Sequence, residues 1–458
     1  MQFNPLRRIN QPTNQRPHIV SKEIPGAKSM RMRAREDEML APGLQAFSMM
    51  AGIVVDQAQG SAITDIDGNT FIDLIGGIGV GGIGHSHPTY IREVTKQLSR
   101  ATIGSFTSEA RVNFFERACE HRLHPSLKRI QLYSSGAEAV ESALRLAKAY
   151  TDKFEFVSFW GGFHGKTMGA LSLMGLDYKA HYGPLVPGNH IIPYANCYRC
   201  PFKLKHPSCS LHCVEFARKQ LKVSVSKGIA AFIIEPMQGT AGNVIPPADF
   251  LIAISELAKE WDALLIADEM ITGFGRTGRY WGSEHASITP DILTIGKQFG
   301  GGFPISGIIS TDEITSAYPW SIPSGSSSSY GGNPLAAAAA AASLKIIDEE
   351  GLVENSEQMG SYFLSRLSNF VDRYPFVGEV RGAGLFLGIE MVEDQESQEP
   401  LSSATSKRIF HECLKRGLLT MSYSPHFRLQ PAMTIDRETI DNAVAILEEV
   451  FDLIKIVQ

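Results

Sequence analysis

The sequence predicts an α/β protein in which a large domain, built on a mainly parallel sheet, is joined to a small α+β domain. Three observations predict it. The 458 residues are 43% hydrophobic and 20% charged, which supplies a sizeable core and excludes a mostly disordered chain. From about residue 105 to 330, short apolar runs capped by Gly or Asp alternate with helical segments, as buried parallel strands with helical crossovers do. After Gly351 the order becomes helix, strands, helix, strand, helix.

Taken in order, Met1 to Lys22 holds Arg7, Arg8 and Arg16 and no acid, the charge pattern of a transit peptide. Pro5, Pro12 and Pro17 break any amphipathic helix there, so residues 1–35 are expected as a flexible arm. Residues 36–75 are expected to pack with the small domain. Within them, Ile53-Val54-Val55, Ala62-Ile63-Thr64 and Phe71-Ile72-Asp73-Leu74 read as a hairpin with a turn at Asp67-Gly68-Asn69. The large domain is assigned to 76–345. Its strands are expected at Arg129–Tyr133, Phe154–Phe159, Ala230–Ile234, Leu264–Ala267 and Ile292–Ile295. Pro334 opens an alanine-rich helix running toward Glu349. The small domain is assigned to 346–458, with strands at Arg381–Val392 and Phe427–Gln430.

Several function classes fall away. With 43 Lys+Arg against 48 Asp+Glu the net charge is −5, so no global basic field is present for nucleic acid. No apolar stretch approaches the roughly 20 residues that span a bilayer. A secretory h-region is also missing, and a cytoplasmic location is expected. Gly77-Ile78-Gly79-Val80-Gly81-Gly82 matches GxGxxG, but Gly84-His85-Ser86-His87-Pro88 intervenes before any helix, which argues against a dinucleotide. Gly165-Lys166-Thr167 ends like a phosphate loop, yet the first glycine of such a loop is replaced by Trp160.

Five features lie just beyond expected strands, the edge where an open α/β sheet binds its ligand. Ser134-Ser135-Gly136-Ala137 opens a helix whose free N–H groups suit a phosphate, with the Ser135 hydroxyl beside them. Gly161-Gly162-Phe163-His164-Gly165 holds an aromatic in a glycine-rich loop, able to stack on a flat ring. Glu235-Pro236-Met237-Gln238-Gly239 adds an acid and an amide. Asp268 ends a run of apolar residues, where a carboxylate needs a cationic partner such as a protonated pyridine nitrogen. Lys297 ends the next run, poised to bind an aldehyde. Each alone has an ordinary structural reading: an N-cap, a core Phe, a turn, a solvated strand end, a surface lysine. Their order and shared edge together describe a site for pyridoxal 5′-phosphate (PLP).

With these residues in view, the sequence resembles the class III (ω-amino group) aminotransferases of PLP fold type I. The resemblance runs from about residue 35 to the C-terminus. It rests on LLIADEMITGFGRTG from Leu264, TIGKQFGGGFPISG around Lys297, SSGAEAVESALRLAKAY, GGFHGKTMGALS, IIEPMQG, YGGNPLA and VRGAGLFLGIEM, all in order. It implies that Lys297 holds the cofactor covalently and acts as general base, and that Asp268 pairs with the pyridine nitrogen. Phe163 and His164 would flank the ring, Gln238 would contact its hydroxyl, and Ser135, Gly136 and Ala137 would hold the phosphate. Ser329 stands where the family has a threonine reaching the phosphate of a second subunit, which implies a homodimer with shared sites. Arg381 resembles the arginine that grips the carboxylate of 2-oxoglutarate, and Glu235 the acid that pairs with that arginine.

The implied activity is transfer of an amino group to a 2-oxo acid. After the aromatic-His-Gly motif, many amino-acid users in the family carry Arg, and this chain has Lys166. A lysine offers one mobile charge and no bidentate grip. That points to donors whose distal carboxylate is weakly held or missing: diamines such as putrescine, or ω-amino acids of the ornithine and 4-aminobutyrate type. An amino-acid racemase or aminomutase on the same fold, and a non-catalytic PLP-binding protein, remain alternatives. Finally, Cys197, Cys200, Cys209 and Cys213 cluster as CxxC and CxxxC. They have the reach to bind zinc through thiolates; reduced thiols or a local disulfide are the other readings.

Overall fold

The computed structural model describes residues 16–104 and 106–457. The chain divides into two compact units: Glu93–Val353, and the chain up to Arg92 together with Glu354 onward.

The Glu93–Val353 unit is built on a seven-stranded sheet. Its strands are β1 (Arg129–Tyr133), β2 (Glu155–Phe159), β3 (Asn189–Ile192), β4 (Ile229–Ile234), β5 (Leu264–Asp268), β6 (Ile292–Ile295) and β7 (Ser306–Ser310). The order is β1-β7-β6-β5-β4-β2-β3. All neighbours are parallel except β7, which runs antiparallel to both β1 and β6. All residues of β4, β5 and β6 are buried, as a sheet covered on both faces requires. Side chains alternate between the faces. Ala231 and Ile233 pack with helix α1 (Gly136–Thr151), whose Ala139, Ala143 and Ala147 let it approach closely. Phe232 and Ile234 point the other way, into a core with Phe250, Ile254 and Leu257 of helix α3 (Ala248–Glu260) and Leu221 of α2 (His212–Ser224).

The expected strands are all present, but β3 and β7 escape a reading by apolar runs. NHII is half polar, and SGIIS is framed by small residues that read as loop. Pro334 does open a helix, Pro334–Glu349, capped by the Asn333 side chain on the Ala336 N–H.

In the other unit, Val55–Gln59, Ala62–Asp65 and Thr70–Asp73 form three antiparallel strands, and Leu418–Leu419 adds in parallel beside Ile72-Asp73. The turn closes because Asp65 Oδ1 accepts the N–H groups of Asp67 and Asn69 at 3.0 and 2.8 Å. Arg381–Val392 is two strands rather than one: Val377–Ala383 turns at Gly384, with φ 51°, into Phe386–Met391, and His426–Leu429 completes an antiparallel sheet. The expected arm falls partly on residues 1–15, outside the described residues. From Arg16 to Arg35 the chain is not a free arm. His18 bridges Thr70, and Asp67 caps the helix Ala27–Asp37 by accepting the N–H groups of Lys28 and Ser29, both at 2.8 Å. Those partners lie some forty positions away, so local sequence gives no sign of them. Among the described residues no helix is long and apolar enough to cross a membrane.

Glu155, at the start of β2, shows how this sheet holds a buried charge. Burial pushes its carboxyl up, but hydrogen bonds from Ser226 and His190 and the Lys227 and Ser226 N–H groups outweigh it and bring it down to about 2. A carboxyl depressed on folding stabilises above its unfolded pKa, and that stability is lost as pH falls from about 4.5 toward 2. Chemical denaturation of wild type and Glu155→Gln should therefore give a gap in stability at pH 7 that closes by about pH 2–3. An equal gap at both pH values would refute this account.

Candidate active site

The carboxyl ends of β4, β5 and β6 bring the chemistry together. Asp268 closes β5 and is 2% exposed. Its Oδ2 lies 2.7 Å from His164 Nδ1, while Oδ1 accepts from the Thr294 hydroxyl at 3.0 Å and the Met270 N–H at 3.2 Å. Three donors around one buried carboxylate offset the cost of desolvating it. The register brings Thr294 opposite Asp268, since β5 and β6 pair in parallel with these two as partners. Burial pulls the His164 imidazole down, but the hydrogen bond and charge of Asp268, with Glu235 behind it, hold it above its usual range. The two side chains thus form a buried, hydrogen-bonded pair.

Lys297 stands three residues past Thr294, just beyond the end of β6, on the strand next to Asp268. It is half-buried and opens the single turn Lys297–Gly300 with φ 52°. A non-glycine residue in that region costs about 1–3 kcal/mol and persists only where its surroundings impose it. Gln298 supplies part of that constraint, bonding Arg276 Nε at 3.2 Å and the Gly273 carbonyl, and Phe299 stacks on Phe274 at 5.0 Å.

The glycine-rich loop after β2 is fixed from β4. Glu235 is buried, and its two oxygens accept the Phe163 and Gly239 N–H groups, each at 2.9 Å. Burial raises its carboxyl; His164 draws it down and Asp268 pushes it up again. The family resemblance gives Glu235 as a partner for Arg381; within its own unit its carboxylate anchors the Phe163 and Gly239 backbone. Gln238 donates to the Trp160 carbonyl at 2.8 Å, tying down the same loop. Tyr194 donates to the carbonyls of Glu235 and Pro236, both at 3.1 Å.

The start of α1 can hold an anion. Ser135 is the N-cap, and its hydroxyl and carbonyl accept the N–H groups of Glu138 and Ala139 at 3.3 and 3.1 Å. That leaves the Gly136 and Ala137 N–H groups of the first turn, and the Ser135 hydroxyl proton, to an incoming phosphate. Gly165 packs so near that a Cβ on it would stand 2.7 Å from the Ala137 Cβ, and φ 132° excludes it as well.

Other expected residues sit differently. Lys166 is exposed, with Nζ 5.1 Å from the centre of the Tyr178 ring, and Tyr178 meets Phe163 edge-on at 6.1 Å. Ser329 is exposed, whereas Ser326 of the same run is buried against the Tyr133 hydroxyl at 2.6 Å. Arg381, in the other unit, is held by Glu379 at 2.6 Å and Glu390 at 2.7 Å. Sequence reading missed Thr294, Tyr194 and Tyr178. A hydroxyl inside the apolar run Ile-Leu-Thr-Ile was a usable sign for Thr294, because it needs a buried partner. Tyr178 lies in the single 3-10 turn Asp177–Lys179, too short to show a periodic pattern.

Comparison with known proteins places the chain in one family. The profile of the class-III aminotransferases matches residues 45–451. An ornithine aminotransferase from an Exiguobacterium species is 35% identical over 414 residues, covering 87% of this chain and 92% of that one. A leucine/methionine racemase from Thermococcus litoralis is 34% identical over 407 residues, covering 87% and 90%. An amine transaminase from an uncultivated Pseudomonas species, solved in its PLP-bound form, superposes with a TM-score of 0.85 at 30% identity, covering 91% of this chain and 98% of that one.

Proposed function

The chain belongs to the class-III aminotransferases, which are PLP-dependent transaminases, and from that premise we propose that it moves a terminal amino group from a diamine or ω-amino acid to a 2-oxo acid such as 2-oxoglutarate. The observation that carries the site is the buried Asp268–His164 pair on the strand beside Lys297. The donor set fits PLP: a buried carboxylate for the ring nitrogen, two helix N–H groups for the phosphate, an aromatic on an anchored loop, and an amine beyond the next strand. When bound, the cofactor supplies a ring that takes up negative charge from the donor's carbon.

Each residue then has a defined task. Lys297 Nζ would hold the cofactor's aldehyde carbon and, when released by the donor amine, would serve as the base that takes the proton from the carbon bearing nitrogen and returns it at C4′. Asp268 would pair with the ring nitrogen, its carboxylate fixed in place by His164, the Thr294 hydroxyl and the Met270 N–H. Glu235 fixes the Phe163 backbone, which would let the Phe163 ring stack on the cofactor, and Gln238 steadies the same loop and would contact the ring hydroxyl. Ser135, Gly136 and Ala137 hold the phosphate, with Ser329 of a second copy completing the site in a homodimer. Arg381 receives the 2-oxo acid.

Lys166 favours a donor without a firmly held distal carboxylate, because a lysine over an aromatic ring is a point charge already partly engaged. The ornithine aminotransferase relative supports a terminal amine. Lys166→Arg should raise kcat/KM for 4-aminobutyrate relative to putrescine by about 10-fold, the worth of one charge-assisted hydrogen bond. An unchanged ratio would remove Lys166 from donor selection. A screen of amine donors with 2-oxoglutarate, read as glutamate formed, tests the main proposal. The racemase relative favours a second reading, in which the amine is kept. Inversion of leucine or methionine without an oxo acid, and no glutamate from any ω-amine, would select it.

A further inference from the structure

Between β3 and α2 the segment 193–211 has no helix or strand, longer than the about 12–15 residues at which such loops become uncommon in compact domains. Apolar packing holds it mainly at its two ends, where Leu211 and, just beyond, Cys213 also pack against the core. Phe202 meets His212 and Phe216 at 4.9 and 5.2 Å, and Tyr194 and Ala195 belong to the core. Three of its non-glycine residues, Lys203, Ser210 and Leu211, take left-handed backbone with φ 55°, 47° and 53°. The segment nonetheless folds so that Cys197 and Cys200 from its start, Cys209 near its end and Cys213 from the first turn of α2 line one cavity of about 20 Å³. None is in a disulfide.

We propose that this cavity is a structural zinc site with Cys197, Cys200, Cys209 and Cys213 as its four ligands. The spacings CxxC and CxxxC fall within those of thiolate zinc sites, and four thiolates close the coordination, leaving no open position for catalysis. The cavity has room for one ion and little else. Among the described residues, three or more candidate ligand atoms come within 4.8 Å of one another only at Glu120, His121 and Asp348, so the four sulfurs share a cavity but no three of them lie that close together. Zinc–sulfur bonds of about 2.3 Å draw them in and cross-link both ends of the loop. Tyr194 and Ala195 line the same cavity, and Tyr194 holds the Glu235 and Pro236 carbonyls, so the metal steadies the far side of the β4 corner without touching the reaction.

The test is metal content of the purified, PLP-loaded full chain, with X-ray absorption at the zinc edge. The expected result is about one zinc per chain with four sulfur neighbours at about 2.3 Å. Cys200→Ser/Cys209→Ser should drop zinc about 10-fold or more while the visible cofactor band persists. Should that variant fail to fold, the wild-type content and edge spectrum decide alone. Wild type that carries under about 0.1 zinc and takes up none after reduction would overturn the proposal. So would an iron–sulfur absorption, nitrogen in the zinc shell, or a Cys197–Cys200 or Cys209–Cys213 disulfide.

Discussion

Lys297→Ala is expected to lower turnover with an ω-amine and 2-oxoglutarate by at least about 10⁴-fold, with the protein still folded. The size comes from two tasks lost at once. A positioned general base contributes about 10²–10⁴, and loss of the covalent nucleophile adds to that. Folding should survive, because the half-buried Lys297 belongs to neither core cluster of its unit. Lys297→Arg separates charge from chemistry: a guanidinium keeps the positive charge but cannot give up its proton, so it should be as inactive as alanine. Borohydride should fix the cofactor to the wild-type chain and to neither variant. Glutamate formation within about 10-fold of wild type in either variant would take Lys297 out of the proton transfer.

The positions of Lys297 and Asp268 at strand ends were legible because Asp268 directly follows the apolar run Leu-Leu-Ile-Ala and Lys297 follows the mostly apolar Ile-Leu-Thr-Ile by one glycine, so the end of each run marks the end of a strand. The pairing of His164 with Asp268 was not, since the two are 104 positions apart and meet only because β4 lies between β2 and β5. Periodicity places strands but not their order in the sheet. The same gap hid the work of Glu235. Its place after β4 was readable, yet only the fold shows its carboxylate accepting from the Phe163 N–H. In the other unit, VRGAGLFLGIEM reads as one apolar strand, and the reversal at Gly384 depends on a positive φ that glycine permits but does not announce. Local pattern was weakest where long-range contacts decide, as for the residues around His18 that cross to Asn69 and Thr70.

Asp268→Asn should lower kcat by about 10²–10³-fold, the usual loss when one preorganised electrostatic partner is removed from a site. The amide nearly matches the carboxylate in shape, so the loss reads charge rather than packing. Stability should fall too, by about 3–5 kcal/mol at acid pH where His164 is still protonated and by less at neutral pH, because a charged imidazole would be buried without its anion. The pH dependence tells this apart from a simple packing defect. His164 is held above its ordinary pKa by Asp268 against the pull of burial. A histidine raised on folding stabilises fully below its unfolded pKa, near 6.5, and that part is lost as pH rises through the folded value. The wild type's advantage over Asp268→Asn in chemical denaturation should thus be larger at pH 6 than at pH 9. In the variant the imidazole, freed of its anion, should be neutral at pH 7, as the pH-dependent shift of its ring resonances would report. A constant advantage across that range, with activity still about 10²–10³-fold down, would leave Asp268 facing the cofactor but remove the ion pair with His164 as the means of holding it there.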